Sequence, residues 1–352
     1  GTLTFQQIGA KGWYPTRRDP AQGGCDAHMG ASCCMGKREV TSDRLTPWDE
    51  ELILSLRGPL SLKQVAVYQP AADASWELVS AWDARAPKAA EGVAFRGNGS
   101  ESAGFAGSVG SECLVDVASA QPFACGPSSS PYCPISSTAQ HRGWQGSKLF
   151  VLLASMPHAG QASAGKACGS GDAGNWYDAP WLGLSLAELV RAGAFSNCHC
   201  YAKNPDAWWL GDGCGQFNVF EVVNDNNQYK NLEVFSTNFF GYGGYVGEGP
   251  CGSACDVSKL GVEVDLIDKA SHTEAARAAL ASPGKGPGAA FRRPTRGYRY
   301  FLIQLDVASR EVQLAIVHPR AIPGALAPLL PALPARVPQA ALDALRALRL
   351  PR

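Results

Sequence analysis

Hydrophobic and polar positions alternate in short runs along most of the chain. Glu51-Leu-Ile-Leu-Ser-Leu56 and Leu62-Lys-Gln-Val-Ala-Val-Tyr68 read as two strands around the turn Arg57-Gly58-Pro59. Trp76 to Trp82 is a third strand. Lys148-Leu-Phe-Val-Leu-Leu-Ala154 is a near-continuous apolar run of strand length, which predicts a buried strand. Cys214 to Val223, Leu232 to Phe239, Val262 to Ile267, Tyr300 to Val307 and Glu311 to Val317 follow. Two short helices are predicted. One is Ser185-Leu-Ala-Glu-Leu-Val-Arg191, with Ser185 as N-cap and Glu188 completing a capping box. The other spans 271–281, opened by Ser271 with Glu274 three residues on. Residues 1–47 read as loop-rich, with turn signals at Tyr14-Pro15, Asp19-Pro20 and Gly23-Gly24. The Gly/Ser-rich stretches 84–145 and 158–178 read as long loops, the first pinned by Cys113, Cys125 and Cys133.

From Pro319 the chain turns to Pro, Ala, Leu and Arg. Prolines at 319, 323, 328, 331, 334 and 338 predict an arm without helix or sheet up to Gln339. Gln339 to Leu350 then reads as an amphipathic helix with Leu342, Leu345 and Leu348 on one side. The arm either packs its leucines onto the main domain or associates with a second copy. Short strands, many turns and the absence of a βαβ rhythm predict an all-β fold: a concanavalin-like antiparallel β-sandwich or jelly roll with peripheral helices. The expected divisions are a loop-rich extension at 1–44, a domain at 45–318 and the arm at 319–352.

Composition narrows the function. Lys+Arg and Asp+Glu are 31 each, so no basic excess exists to hold nucleic acid. No run approaches the roughly 18 apolar residues of a membrane span. The opening GTLTFQQIGAKGW carries no apolar signal segment, as in a cytosolic chain or a mature secreted one. The twelve cysteines decide for secretion: Cys25, Cys33, Cys34, Cys113, Cys125, Cys133, Cys168, Cys198, Cys200, Cys214, Cys251 and Cys255. An even number spread through Gly/Ser-rich loops reads as a disulfide framework. Zinc is the rival. No paired CxxC spacing exists, and His199 between Cys198 and Cys200 would point away from both on an extended segment. Thiols two residues apart rarely pair with each other, so Cys198 and Cys200 are expected in separate bridges. Asn98-Gly99-Ser100 is a glycosylation sequon, in keeping with secretion. No cofactor or metal is expected: Walker, GxSxG and HExxH patterns are missing.

The segment Gly213-Cys-Gly-Gln-Phe-Asn-Val-Phe-Glu-Val-Val-Asn224 holds the candidate chemistry. On a regular strand Gln216 and Asn218 share a face, and Glu221 falls on the opposite one, inside the core. One extra residue in a β-bulge near Val219-Phe220 would return Glu221 to the face of the other two. Without it, the segment is a strand with a solvent face of Gln and Asn and an edge Glu.

The run GCGQFNVFEV resembles the GCGEFDIFEV run of fungal cell-wall glycosidases of the target-of-SBF type. Pro47-Trp-Asp-Glu-Glu-Leu-Ile-Leu-Ser-Leu-Arg-Gly-Pro-Leu-Ser-Leu62, followed by Val65-Ala-Val-Tyr68, is similar to that family's "NEEV…FRGPLSL…AVY" stretch. Cys198-His-Cys-Tyr201 resembles its "CSCW" element, and Phe291-Arg-Arg-Pro-Thr295 its "F-x-R-P-T" element. The family in turn resembles laminarinase-type jelly rolls of glycoside hydrolase family 16, whose motif is E-x-D-x-x-E. There the first Glu is the nucleophile, the Asp a helper and the second Glu the acid/base. In a retaining enzyme the two glutamates stand about 5–5.5 Å apart. The resemblance therefore implies Gln216 at the nucleophile position, Asn218 at the helper position and Glu221 as acid/base. A carboxamide carries no charge and is a poor nucleophile, so the motif is degenerate. Gln and Asn keep the shape of Glu and Asp, and with it a cleft that can hydrogen-bond sugar hydroxyls.

Aromatic residues flank the motif: Trp176, Tyr177, Trp181, Trp208 and Trp209, with Tyr242 and Tyr245 in a Gly-rich loop. Such rings bind the apolar faces of sugars or simply pack in the core. The expectation is a secreted cell-wall or matrix protein that is glycan-binding or structural. Its partner would be β-glucan or another wall polysaccharide, with self-association through the arm as a further partner. Its alternative is an active β-1,3-glucan hydrolase or transglycosylase using Glu221.

Overall fold

The structure, a computed structural model, describes residues 2–6, 12–17, 35–40, 45–86, 91–97, 100–101, 104–111, 113–124, 140–160, 177–191, 216–222, 235–240 and 293–347. These are mostly antiparallel strand, and the fold is all-β with few helices. One sheet has eight strands. Its main path runs β1 (Thr2–Gln6), β18 (Glu311–Val317), β17 (Arg299–Asp306), β13 (Lys148–Ser155), β5 (Leu60–Pro70), β6 (Ser75–Asp83) and β19 (Arg336–Pro338), with β9 (Ser108–Val109) added beside β5. The other sheet has seven: β16 (Phe235–Phe240), β15 (Gln216–Val222), β14 (Trp181–Leu186), β4 (Leu52–Arg57), β10 (Leu114–Ser119), β7 (Val93–Gly97) and β8 (Ser100–Glu101). Two hairpin-sized sheets pair β2 (Gly12–Arg17) with β3 (Met35–Val40) and β11 (Pro122–Phe123) with β12 (Gln140–His141).

One core lies between the two large sheets. Leu52, Leu54 and Leu56 of β4, Leu182 and Leu184 of β14, and Val115 and Val117 of β10 enter it from one side. Val65 and Val67, Phe150 and Leu152, and Phe301 and Ile303 enter it from the other. Period-two alternation puts the remaining residues of these strands on the outer faces, and the two outer faces differ. That of the eight-stranded sheet is apolar, with Ala66, Tyr68, Leu149, Val151, Leu302 and Ala315. The C-terminal arm covers it with Leu326, Leu329, Leu330 and Val337, and with Leu342 and Leu345 of the helix α2 (Gln339–Ala347). This is why β13 reads as unbroken apolar sequence: both its faces are buried. Lys148, at its start, is also fully buried; its Nζ donates to the carbonyls of Trp48 (3.0 Å) and Glu50 (2.8 Å). Burial pulls this amine down to about 7 against the nearby charges of Asp49, Glu50 and Glu51.

Several sequence expectations change. Strands β1, β2 and β3 lie in the stretch read as loop, and the whole of β1 pairs with residues 311–315 of β18. The stretch 84–145 supplies β7 and β10 to the seven-stranded sheet. Their apolar alternation is only two or three residues long amid Gly and Ser, so pairing with β4, not local propensity, makes them strands. Ser185 caps no helix: it sits within β14, and the helix α1 (Ala187–Arg191) begins two residues later. The proline-rich arm does form a short edge strand, β19, ending at Pro338 where no further ladder donor is needed, and a 3-10 turn at Gly324–Leu326. Val262 to Ile267, the helix at 271–281 and Leu348 lie outside the described residues. Cys113 is the only cysteine among the described residues, and it is disulfide-bonded.

Candidate functional site

The outer face of the seven-stranded sheet is polar. Strand register lays it out in rows of Cα partners. One row runs Glu221, Trp181, Arg57, Leu114; the next runs Asn218, Gly183, Ser55, Asp116, Arg96. A third runs Gln216, Ser185, Ile53. The register between β14 and β15 shifts so that Leu182 faces Phe220 while Gly183 faces Asn218, leaving Val219 as the extra residue of a bulge. Against β16 the same irregularity falls between Asn218 and Glu221. Phe217, Val219, Phe220 and Val222 are all in the core. With the bulge, backbone positions 216, 218 and 221 fall on one face of β15.

Glu221 is mostly buried and faces Arg57, whose Nη2 stands 3.4 Å from its Oε1. The firmer bond of Arg57 is from Nε to the Ala179 carbonyl, at 2.6 Å. Its guanidinium also lies 5.8 Å from the centroid of the Trp181 ring. Trp181 is fully buried, so this ring offers no open face to solvent. Its indole leans across the neighbouring residue, where a Cβ on Gly183 would sit 1.9 Å from Trp181 Cζ3. Only glycine leaves room for the ring there.

Behind Ala179, Asp178 is held by three donors. Arg293 Nη2 reaches its Oδ1 at 2.6 Å, the Ala159 amide reaches the same oxygen at 3.0 Å, and His158 Nδ1 stands 2.8 Å from Oδ2. Burial alone would raise this carboxyl, but the bonds from Arg293, His158 and Ala159 outweigh it and hold it below the usual range. Arg293 is buried and also donates to the carbonyls of Met156, Pro157 and Asp178. The arginine of the Phe291-to-Thr295 element therefore ties the loop behind Arg57 to the end of β13.

At the other side of the face, Ser55 Oγ donates to Asp116 Oδ1 (2.8 Å) and lies 3.0 Å from Ser185 Oγ. Burial pushes the Asp116 carboxyl up to about 6, against the hydrogen bond from Ser55 and the charge of Arg96. Arg96 donates to Gln140, at 2.8 Å. Beside Asp116 opens a small pocket of about 20 Å³, walled by β4, β7, β10, β12 and α1. Arg191 of α1 is bound through both terminal nitrogens to Glu51 and stacks at 4.0 Å on Phe123.

Among the described residues no group of three or more His, Cys, Asp or Glu could hold a metal, and no helix is long and apolar enough to cross a membrane. Trp176, Trp208, Trp209, Tyr242, Tyr245 and Asn98 lie outside the described residues. Sequence reasoning missed Arg57, Ser55, Asp116, Arg96 and Ser185. The signal was present in β4 and β10: Ser55 and Arg57 recur at period two in a leucine-rich strand, and Asp116 stands between two core valines.

Two family models match the chain. The N-terminal one, described as cell wall protein YJL171C/Tos1, covers residues 1–70, and the C-terminal one of the same description covers 109–249. No curated protein and no solved structure matches it. The two matched segments are interleaved in space, since β4 from the first pairs with β10 and β14 from the second. The family is one of cell wall proteins, consistent with a secreted, wall-associated chain. Together the matches span more than half of the sequence, and the chain belongs to the YJL171C/Tos1 cell wall protein family.

Proposed function

We propose that the polar outer face of the seven-stranded sheet is a polysaccharide-binding cleft that has lost hydrolytic chemistry. The observation that carries this reading is the bulge at Val219–Phe220. With the bulge, backbone positions 216, 218 and 221 share one face of β15, which supports the reading, and of the three only Glu221 is a carboxylate. Gln216 cannot form a glycosyl ester, and Asn218 cannot carry a helper charge. Glu221 beside Arg57 remains as a hydrogen-bonding group for sugar hydroxyls. Trp176, Trp208, Trp209, Tyr242 and Tyr245 are the proposed stacking residues, and the jelly-roll topology and a full set of bridges among the twelve cysteines belong to the same reading.

A glycan array, with reducing-sugar release measured on the hits, tests it. Retention of β-1,3-glucan without release of reducing ends is expected. Gln216→Glu with Asn218→Asp should then produce measurable release that Glu221→Gln abolishes. Robust hydrolysis by the unmodified chain would reject the loss of chemistry, and absence of binding to any wall glycan would reject the cleft.

A further inference from the structure

We infer that the pocket beside Asp116 is a subsite for the acetamido group of a 2-acetamido sugar. This rests on the reading of the face as a polysaccharide cleft and adds a substrate class to it. The pocket lies away from positions 216, 218 and 221, at the β10–β7 side of the face. Its floor is apolar although the surrounding face is polar. Ile53, Ala118, Ala187 and Val190 form a small cluster of their own, separate from the core between the sheets. Apolar surface combined with a few convergent polar groups is the usual make-up of a ligand site.

Among the polar side chains that line it, Arg96, Asp116, Gln140, His141 and Arg191, Asp116 offers an acceptor and Arg191 a donor. Asp116 accepts from Ser55 through Oδ1, and among the described residues nothing donates to its Oδ2. Arg191 is buried, with its terminal nitrogens engaged, while its Nε–H has no acceptor among the described residues. An acetamido group has three matching parts: an N–H for the carboxylate, a carbonyl for the guanidinium, and a methyl for the apolar floor. A plain hydroxyl at the same sugar carbon would leave the floor unfilled and would have to serve both polar groups from a single oxygen. Buried polar groups left unmade cost enough to discriminate between such sugars. With its carboxyl at about 6, Asp116 is the charged acceptor at neutral pH.

Calorimetric titration of the full chain at pH 7 with three trisaccharides tests the inference. The probes are triacetylchitotriose, cellotriose (the same backbone with hydroxyls in place of acetamido groups) and a β-1,3-linked glucose trimer. The acetylated trimer is expected to bind about tenfold or more tighter than cellotriose. Ala94→Leu, which fills the pocket, and Asp116→Asn, which keeps its shape but removes the charge, should each cut that advantage by about tenfold. If the leucine variant misfolds by its melting curve, the near-isosteric Asp116→Asn decides alone. Equal affinity for the acetylated trimer and cellotriose, or an advantage that survives Asp116→Asn, overturns the subsite and leaves the cleft standing. Failure of all three sugars to bind overturns cleft and subsite together.

Discussion

The two large sheets share one core but spend their outer faces differently. The eight-stranded sheet turns Ala66, Tyr68, Leu149, Val151 and Leu302 outward, and the chain's own C-terminal arm covers them. The seven-stranded sheet turns Arg57, Ser55, Asp116 and Arg96 outward, and these groups bond one another or nearby carbonyls across the strands. A large apolar face left open to water favours association, so it is the kind of surface a chain covers. The same strand alternation therefore makes an apolar, covered face on one sheet and a polar face, the one proposed to bind glycan, on the other.

The largest effects should come from uncovering the first face. Leu330→Ala and Leu342→Ala, both at fully buried arm positions, are each expected to cost about 2–5 kcal/mol in urea unfolding. Removal of the arm after Pro319 should expose the apolar face and cause aggregation. A truncated chain that stays monomeric with an unchanged melting point would break the contrast.

Arg293→Met comes next. It leaves the Asp178 carboxylate without its main partner, at an expected cost of about 3–5 kcal/mol. Asp178→Asn in the same chain should recover part of this, and a double-mutant cycle reads the coupling. A smaller effect is expected from Gly183→Ala on the polar face. The added methyl must displace the Trp181 indole, costing about 1–3 kcal/mol. Glycan retention should fall far more than stability does; equal loss in both would assign this face to packing.

pH separates the regions most finely. Folded Asp116, among Ser55, Arg96, His141 and Arg191, keeps its proton to about 6 rather than 3.8. The folded chain binds more protons between these values, so this group makes stability fall as pH rises through that window. Lys148, between the sheets, has the opposite sign. Its folded value is about 7 rather than 10.5, so the unfolded chain binds more protons in between and stability rises with pH there. Asp116→Asn should flatten only the acid slope and Lys148→Met only the alkaline one, by melting curves from pH 4 to 10. Loss of both slopes in either variant would contradict the assignment.

Much of the sheet framework was legible in the sequence because it rests on alternation. Leu52 to Leu56, Lys148 to Ala154 and Glu311 to Val317 each carry enough apolar residues at period two, or in unbroken runs, to declare a strand. The bulge in β15 was one of two readings the sequence left open, since Glu221 leaves the core of a regular strand only if one residue is added. Strands β7 and β10 were hidden because two or three apolar positions among glycines and serines do not outweigh turn signals locally.

By itself, then, the sequence determined an all-β chain and an arm with an apolar face, and suggested the motif at Gln216, Asn218 and Glu221. Only the tertiary structure decided that the arm is spent on the chain's own sheet, because which apolar surface an arm covers depends on what lies nearby in space. It also decided that Arg57, Ser55, Asp116 and Arg96 join the motif's face. They come from strands far apart in sequence, and the hydrogen-bonded register that sets them side by side is a property of paired strands, which no single strand contains.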